Sequence, residues 1–261
     1  MLCKDPATTY LKQFGYNVIR LPKADFSPLT LLVKEKNKLT VLGDLATVIH
    51  SDVAALPEVK KDTPVTHITG KKTANLSAGI ALDILGKVIS AMGGSKLGVE
   101  LKYKSARSLQ FTFSSASEDS IQITTLDTFL SQTDILGNPG HVARLMEADD
   151  VFIVTAVLKS NEITVDADSA NETNAGISIP EIQQAIGGNV QVSGANTSTS
   201  SLTYKGAIPL AFGFKAIRLF YEDGKYKRFE PANASMAVSL SSDITEGSFM
   251  YMSDKGYVDF D

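Results

Sequence analysis

Two kinds of hydrophobic spacing divide this chain. From position 76 to 92 the apolar residues Leu76, Ile80, Ile84, Leu85, Val88, Ile89 and Met92 recur every three to four positions, the spacing of one helix face. Asn75 can cap that helix and Gly93-Gly94 can stop it. Directly afterwards the period drops to two. Val99, Leu101 and Tyr103 alternate with Glu100, Lys102 and Lys104, and the same parity returns at Leu109, Phe111 and Phe113. Ser105 and Arg107 interrupt the apolar side. The stretch therefore reads either as one long amphipathic strand or as a tight hairpin around 105–108, and Ile121-Gln122-Ile123 extends the alternation.

Elsewhere the signals are shorter. Asp5 to Phe14 predicts a helix with Pro6 in its first turn and Gly15 at its end. Strands are predicted over 16–21, stopped by Pro22, then over 29–33 and 39–42 on either side of a Lys-rich turn. A helical patch runs from His141 to Ala148. It precedes a strand over 151–158, a Ser160-Asn161 turn and a partner strand over 163–165. Pro180 to Ile186 reads as a short helix, with strands at 190–192 and 202–204 beyond it. Residues 208–221 form a strongly apolar strand or strand pair closed by Glu222-Asp223-Gly224-Lys225. The sum is an α+β fold: a large, twisted, mostly antiparallel β-sheet with peripheral helices.

Composition narrows the function classes. At 261 residues and 28.0 kDa, with 43% hydrophobic and 21% charged residues, the chain can bury a core unaided. A net charge of −4 argues against binding nucleic acid through its phosphates. No apolar run is long enough for a transmembrane helix, and a cytosolic location is expected. The charge is unevenly placed. Asp243, Glu246, Asp254, Asp259 and Asp261 outnumber Lys255, so the last 23 residues carry the whole −4 and the preceding 238 balance to zero. That tail is also sharply divided. The polar stretch Ser239, Leu240, Ser241, Ser242, Asp243, Ile244, Thr245, Glu246 and Gly247 leads into a cluster of Phe249, Met250, Tyr251, Met252, Tyr257, Val258 and Phe260.

Catalytic constellations are missing from the sequence. His50, His67 and His141 lack any paired ligand spacing, so no metal is expected. Gly70-Lys71-Lys72-Thr73 departs from a phosphate loop at both its first glycine and its hydroxyl position. Asp149-Asp150 reads as a solvated helix end, and no nucleophile elbow is present. The single cysteine, Cys3, precludes an internal disulfide. It is either an idle terminal residue or an accessible thiol open to thioester acylation. The chain reads as a protein that is not an enzyme.

The block Phe14-Gly15-Tyr16-Asn17-Val18-Ile19-Arg20-Leu21-Pro22, continuing to Pro28-Leu29-Thr30-Leu31-Leu32, resembles the N-terminal signature of the bacterial gasdermins. The apolar segment Ile208-Pro209-Leu210-Ala211-Phe212-Gly213-Phe214-Lys215-Ala216-Ile217 is similar to the strand near the end of their pore-forming domain. The resemblance spans nearly the full chain.

It implies a pore-forming domain over 1–240 and an autoinhibitory C-terminal peptide over 241–261, with the boundary falling between 236 and 249. The resting protein would be a cytoplasmic monomer. A partner protease, encoded nearby, would cut within residues 239–247. The remainder would oligomerise and insert β-hairpins into the bacterial inner membrane, killing the infected cell in antiphage defence. By the same resemblance Cys3 would carry a palmitoyl group, no other cofactor being implied, and the partners would be membrane lipids, the protease and further copies of the chain. Phe249, Met250, Tyr251, Met252, Tyr257 and Phe260 would make the inhibitory contacts. Candidate hairpins are the stretches 97–125 and 151–203. A competing expectation is a non-enzymatic β-rich binding module whose tail is merely its last strand.

Overall fold

The computed structural model describes residues 11, 14–35, 38–48, 55–66, 68, 76–133, 141–169, 178–187, 189–194, 201–223, 225–231, 250–252 and 257–260. In chain order the elements are β1 (Asn17–Lys23), β2 (Thr30–Glu35), β3 (Lys38–Asp44), β4 (Lys60–Pro64), β5 (Leu76–Ser77), α1 (Ala78–Ala91) and α2 (Lys96–Tyr103). There follow β6 (Ala106–Ser114), β7 (Ser117–Ser120), α3 (Ile123–Ser131), α4 (His141–Glu147), β8 (Val151–Ser169) and α5 (Ile179–Ile186). The chain ends with β9 (Val190–Gly194), β10 (Ser201–Glu222), β11 (Lys225–Pro231), β12 (Met250–Met252) and β13 (Tyr257–Phe260). Among the described residues all thirteen strands belong to one sheet, and every pair is antiparallel except β1 with β12.

The spine is the antiparallel ladder of β8 and β10, strands of 19 and 22 residues. The sequence predicted a turn at Ser160-Asn161; instead β8 runs straight through. The Ser160 hydroxyl accepts from Glu162 N at 3.0 Å and donates to Ser114 O at 2.8 Å, and Asn161 Nδ2 reaches Gly206 O at 3.3 Å. These polar side chains satisfy a bulge, visible as a register shift opposite 205–210, rather than a reversal. Pro22 likewise does not stop β1. It sits where the β1–β10 register slips between Val18 and Lys23, at a point where no ladder bond is demanded of it.

At one end of the spine, α1, α2 and α5 cover the sheet formed by β6, β9 and the adjoining halves of β8 and β10. Leu85, Ile89, Val99, Tyr103, Ile186, Phe111, Val165 and Leu202 are buried together there. The helix read from the 3.6 spacing is α1, although its N-cap is Ser77, without a side-chain cap bond, and its first predicted turn begins as strand β5. It closes in a Schellman motif: Gly93, at φ +85°, bonds Ser90 O, and Gly94 N bonds Ile89 O.

The alternating stretch at 99–104 is not a strand but the body of α2. Ser95 caps it, accepting from Leu97 N at 3.3 Å. Val99 and Tyr103 are four apart as well as two-periodic, so a helix also buries them together. Gly98 lets α2 approach α5 closely, since a Cβ there would lie 2.6 Å from Ile186 Cγ1. Ile121–Ile123 likewise does not continue a strand. β7 ends at Ser120 and Ile123 opens α3, whose Leu126, Phe129 and Leu130 share one buried face.

At the other end the sheet closes on itself. β10 pairs with β1, β1 with β12, β12 with β13, β13 with β3, β3 with β2, β2 with β8, and β8 with β10 again. This is a ring of seven staves. An odd ring cannot be antiparallel throughout, which accounts for the parallel β1–β12 pair. Outside it, Leu31, Val33, Val151, Ile153, Ile217 and Leu219 pack with α3 and α4. Inside lie Ile19, Leu32, Phe152, Val154, Val157 and Phe214, with Phe26 edge-on to Phe214 at 5.5 Å.

Candidate functional site

Two of the seven staves come from the tail. β12 meets β1 in the register Val18–Tyr251 and Ile19–Met252. β13 returns antiparallel to β12 and pairs with β3 as Tyr257–Thr40, Val258–Leu39 and Asp259–Lys38. With the two tail strands in place, the edges of β1 and β3 are both satisfied. Without them the ring is a five-stranded open sheet with two bare edges. The tail is short: its strands of three and four residues meet the body at two positions of β1 and three of β3, against the 19- and 22-residue strands of the spine.

The second feature is a clamp at the base of the long excursion between β4 and β7. Lys159 on β8 bridges Asp119 of β7 at 2.7 Å and Asp62 of β4 at 2.9 Å. Asp62 N also donates to Asp119 Oδ1 at 2.8 Å. Burial works against the Lys159 charge, but the two carboxylates outweigh it and hold its pKa above the ordinary value of 10.5. Beside it, Lys215 of β10 lies 3.6 Å from Glu118 and 4.2 Å over the Tyr16 ring. The Tyr16 hydroxyl donates to Glu118, and burial together with that carboxylate keeps it protonated far above the usual tyrosine range. The clamp fastens both roots of the segment carrying β5, α1, α2 and β6 to the spine.

The third feature is α2 itself. Its outer surface carries Leu97 and Leu101, 60% and 58% exposed, while Lys102 is only 7% exposed. Among the described residues no carboxylate or carbonyl bonds Lys102, and burial lowers its pKa. Two leucines in water and a lysine inside make a poor helix. The same residues laid out with period two put Leu97, Val99, Leu101 and Tyr103 on one face and Lys96, Glu100, Lys102 and Lys104 on the other. Beneath α2 the sheet is already amphipathic. Leu109, Phe111, Ile163, Val165, Leu202 and Tyr204 are buried under the helices, and Thr164 bonds Thr203 at 2.8 Å on the opposite face.

Of the residues singled out by sequence, Met250, Tyr251, Met252, Tyr257 and Phe260 have their backbones in the seam. Cys3, Phe249 and the stretch 239–247 lie outside the described residues, as do His50, His67 and residues 70–73. Asp149 and Asp150 form the turn after α4, where Asp149 O accepts from Arg218 Nε. Among the described residues no three potential metal ligands cluster, and no helix is long and apolar enough to cross a membrane. The clamp was invisible to sequence reading. Its contacts join residues 40 to 199 positions apart, and nothing local marks them.

This architecture has relatives. Residues 19–225 match the Bacterial Gasdermin Family. The chain belongs to that family. It is 45% identical over 257 residues to Gasdermin bGSDM of a Desulfuromonadales bacterium, covering 97% of both chains. To Gasdermin bGSDM of Lysobacter enzymogenes it is 39% identical over 239 residues, 91% of this chain and 88% of the other. Among solved structures it resembles a bacterial gasdermin from Bradyrhizobium tropiciagri, with a TM-score of 0.59 at 18% identity over 86% of this chain and 90% of that one. The family match ends at residue 225, before the tail strands. The matched residues 19–225 contribute to five staves of the ring and the segment after them supplies the last two, while the Desulfuromonadales relative aligns over 97% of the chain.

Proposed function

We propose that this gasdermin is a latent pore-forming protein held shut by its own C-terminal strands, and that proteolysis in 239–247 releases them. The observation that carries this reading is the tail's place in the sheet: β12 and β13 close the ring between β1 and β3. While tethered, the five tail residues paired with β1 and β3 act at high effective concentration. Once cut, the peptide must hold by its own affinity.

Opening the ring bares two edges and one flank of the inner apolar cluster, which favours association over the monomer. The other end of the molecule then supplies the membrane strands. β6, with the adjoining halves of β8 and β10, already alternates, and α2 converts to a strand of the same parity as β6. A spanning strand needs about 9–11 residues. Every backbone group in lipid must be paired, so the inserted hairpins must close into a barrel built from many copies. Loss of the tail removes a net charge of −2 to −4, according to where in 239–247 the cut falls, and leaves a body less repelled by anionic lipid. A palmitoyl group on Cys3 would aid insertion; one acyl chain alone anchors only weakly. The setting that fits is cell death at the bacterial inner membrane during antiphage defence, triggered by a neighbouring protease.

The experiment is dye release from liposomes. The chain with a specific protease site placed in 239–247 is expected to leave vesicles sealed until cut and to empty them afterwards. Equal release before and after cutting refutes the autoinhibition.

A further inference from the structure

We propose that the slot vacated by the tail is a strand acceptor for a second copy of this chain, with the β1 edge of one molecule pairing in parallel with the β3 edge of the next. The proposal rests on the tail-release reading above and names the contact through which released molecules first join.

The bare edges need partners. β12 occupies the outer side of β1 at 18 and 19, and β13 the outer side of β3 at 38–40. Departure of the tail leaves those backbone N–H and C=O groups unpaired, a state that folded sheets avoid. Joining the two edges within one molecule would have to cross three strand spacings, about 14 Å. It would also shrink a seven-stave ring to five around Ile19, Phe26, Leu32, Phe152 and Phe214, which are already buried side by side. A ring of fewer strands has a narrower interior, and a filled core resists compression.

Pairing between molecules meets no such obstacle. From β1 to β3 through β10, β8 and β2 there are four steps, each antiparallel. β1 and β3 therefore point the same way. A copy related by simple rotation can set its β1 beside this β3 without inversion, and its own β3 is then free for the next. Such a contact is heterologous and propagates around a ring. A two-fold contact of β1 with β1 would pair those strands antiparallel and leave both β3 edges bare. The resting molecule favours the first arrangement, because β1 already holds a parallel partner on that side.

The test is disulfide trapping on phosphatidylethanolamine–phosphatidylglycerol vesicles, using full-length chains with a specific protease site in 241–247. One preparation carries Val18→Cys; the others carry Thr40→Cys or Lys38→Cys, which together cover a two-residue shift in register. After cutting and mild oxidation, mixtures are expected to give 18–40 or 18–38 disulfides between molecules, and the uncut mixtures to give none. Peptide mass separates these from any disulfide of Cys3. Cross-links of 18 with 18 or 40 with 40 in single preparations overturn the parallel contact. Leaking vesicles with no disulfide at these positions overturn the edge contact while leaving the pore reading intact. Vesicles that stay sealed after cutting overturn both.

Discussion

Thr40 on β3 sits directly opposite Tyr257 of the tail strand β13, and among the described residues the buried Thr40 hydroxyl has no hydrogen-bond partner. An orphaned buried hydroxyl costs about 1–3 kcal/mol. The seam where the tail joins the sheet thus carries a defect on its β3 side. Replacing the hydroxyl with a methyl of the same shape removes that cost. Thr40→Val is expected to raise the melting temperature of the uncut protein and to slow dye release after cutting, both read against the parent chain.

A proline in the tail separates strand pairing from mere attachment. Val258 lies between Met252 of β12 and Leu39 of β3, with a neighbour on each side. Val258→Pro removes a backbone donor from that ladder and clashes with its neighbours, a loss of about 3 kcal/mol or more by analogy with helix interiors. The uncut variant is expected to empty vesicles, although its tail is still covalently joined. Sealed vesicles from this variant would show that the peptide bond, not the pairing, holds the resting state.

Most of the sheet was legible in the chain because its strands alternate between a buried and a wetter face, as at Leu109, Phe111 and Phe113. The helix α1 was legible for the matching reason at 3.6 spacing. The α2 segment misled because Val99 and Tyr103 satisfy both periods, and tertiary packing against α1 and α5 chose the helix. The turn expected at Ser160 failed for a different reason: its side chain mends the ladder locally, which residue type alone does not reveal. The tail was visible as a charged, aromatic segment, but ring closure was not. It depends on pairings between Val18 and Tyr251 and between Thr40 and Tyr257, more than 200 positions apart. No local pattern encodes that.

Lys102 is buried, and among the described residues no partner meets its charge, so its removal should steady the fold. Lys102→Met keeps the aliphatic stem and deletes the ammonium. Burial lowers the folded pKa, so the fold bears the cost of the charge at neutral pH, while the unfolded chain keeps its proton up to about 10.5. The variant is expected to gain about 1–3 kcal/mol near pH 7. Its advantage should shrink as pH rises toward 10.5, measured by urea unfolding across that range. A constant advantage would trace the gain to packing instead.

Alkali should loosen the protein. Burial and, for Tyr16 and Tyr226, the carboxylates of Glu118 and Asp127 raise these tyrosine pKa values far above 10; the Tyr226 hydroxyl donates to Asp127 at 2.6 Å. Burial does the same to Tyr204 and Tyr221. A raised folded pKa contributes stability that is complete below the unfolded value of about 10 and is lost as pH climbs through the folded one. Stability is therefore expected to fall steadily above about pH 10, with a shallower fall in Tyr226→Phe. A slope unchanged by that substitution would remove Tyr226 from the account.

Leu101 tests the proposed conversion of α2 from helix to membrane strand. In the resting helix it is 58% exposed, so Leu101→Arg touches no core and is expected to change stability by no more than about 0.5 kcal/mol. In the proposed membrane strand the same side chain shares a face with Leu97, Val99 and Tyr103 and meets lipid. An arginine there costs about 2–4 kcal/mol near the bilayer midplane, repeated in every copy of the barrel. The variant is expected to melt like the parent and to be cut at the same rate, yet to release little dye. Glu100→Arg, on the opposite face of that strand, serves as the control and is expected to retain release. If the two variants release dye equally, α2 does not enter the membrane as a strand of this parity, and the lipid-facing residues must be sought in β8 and β10.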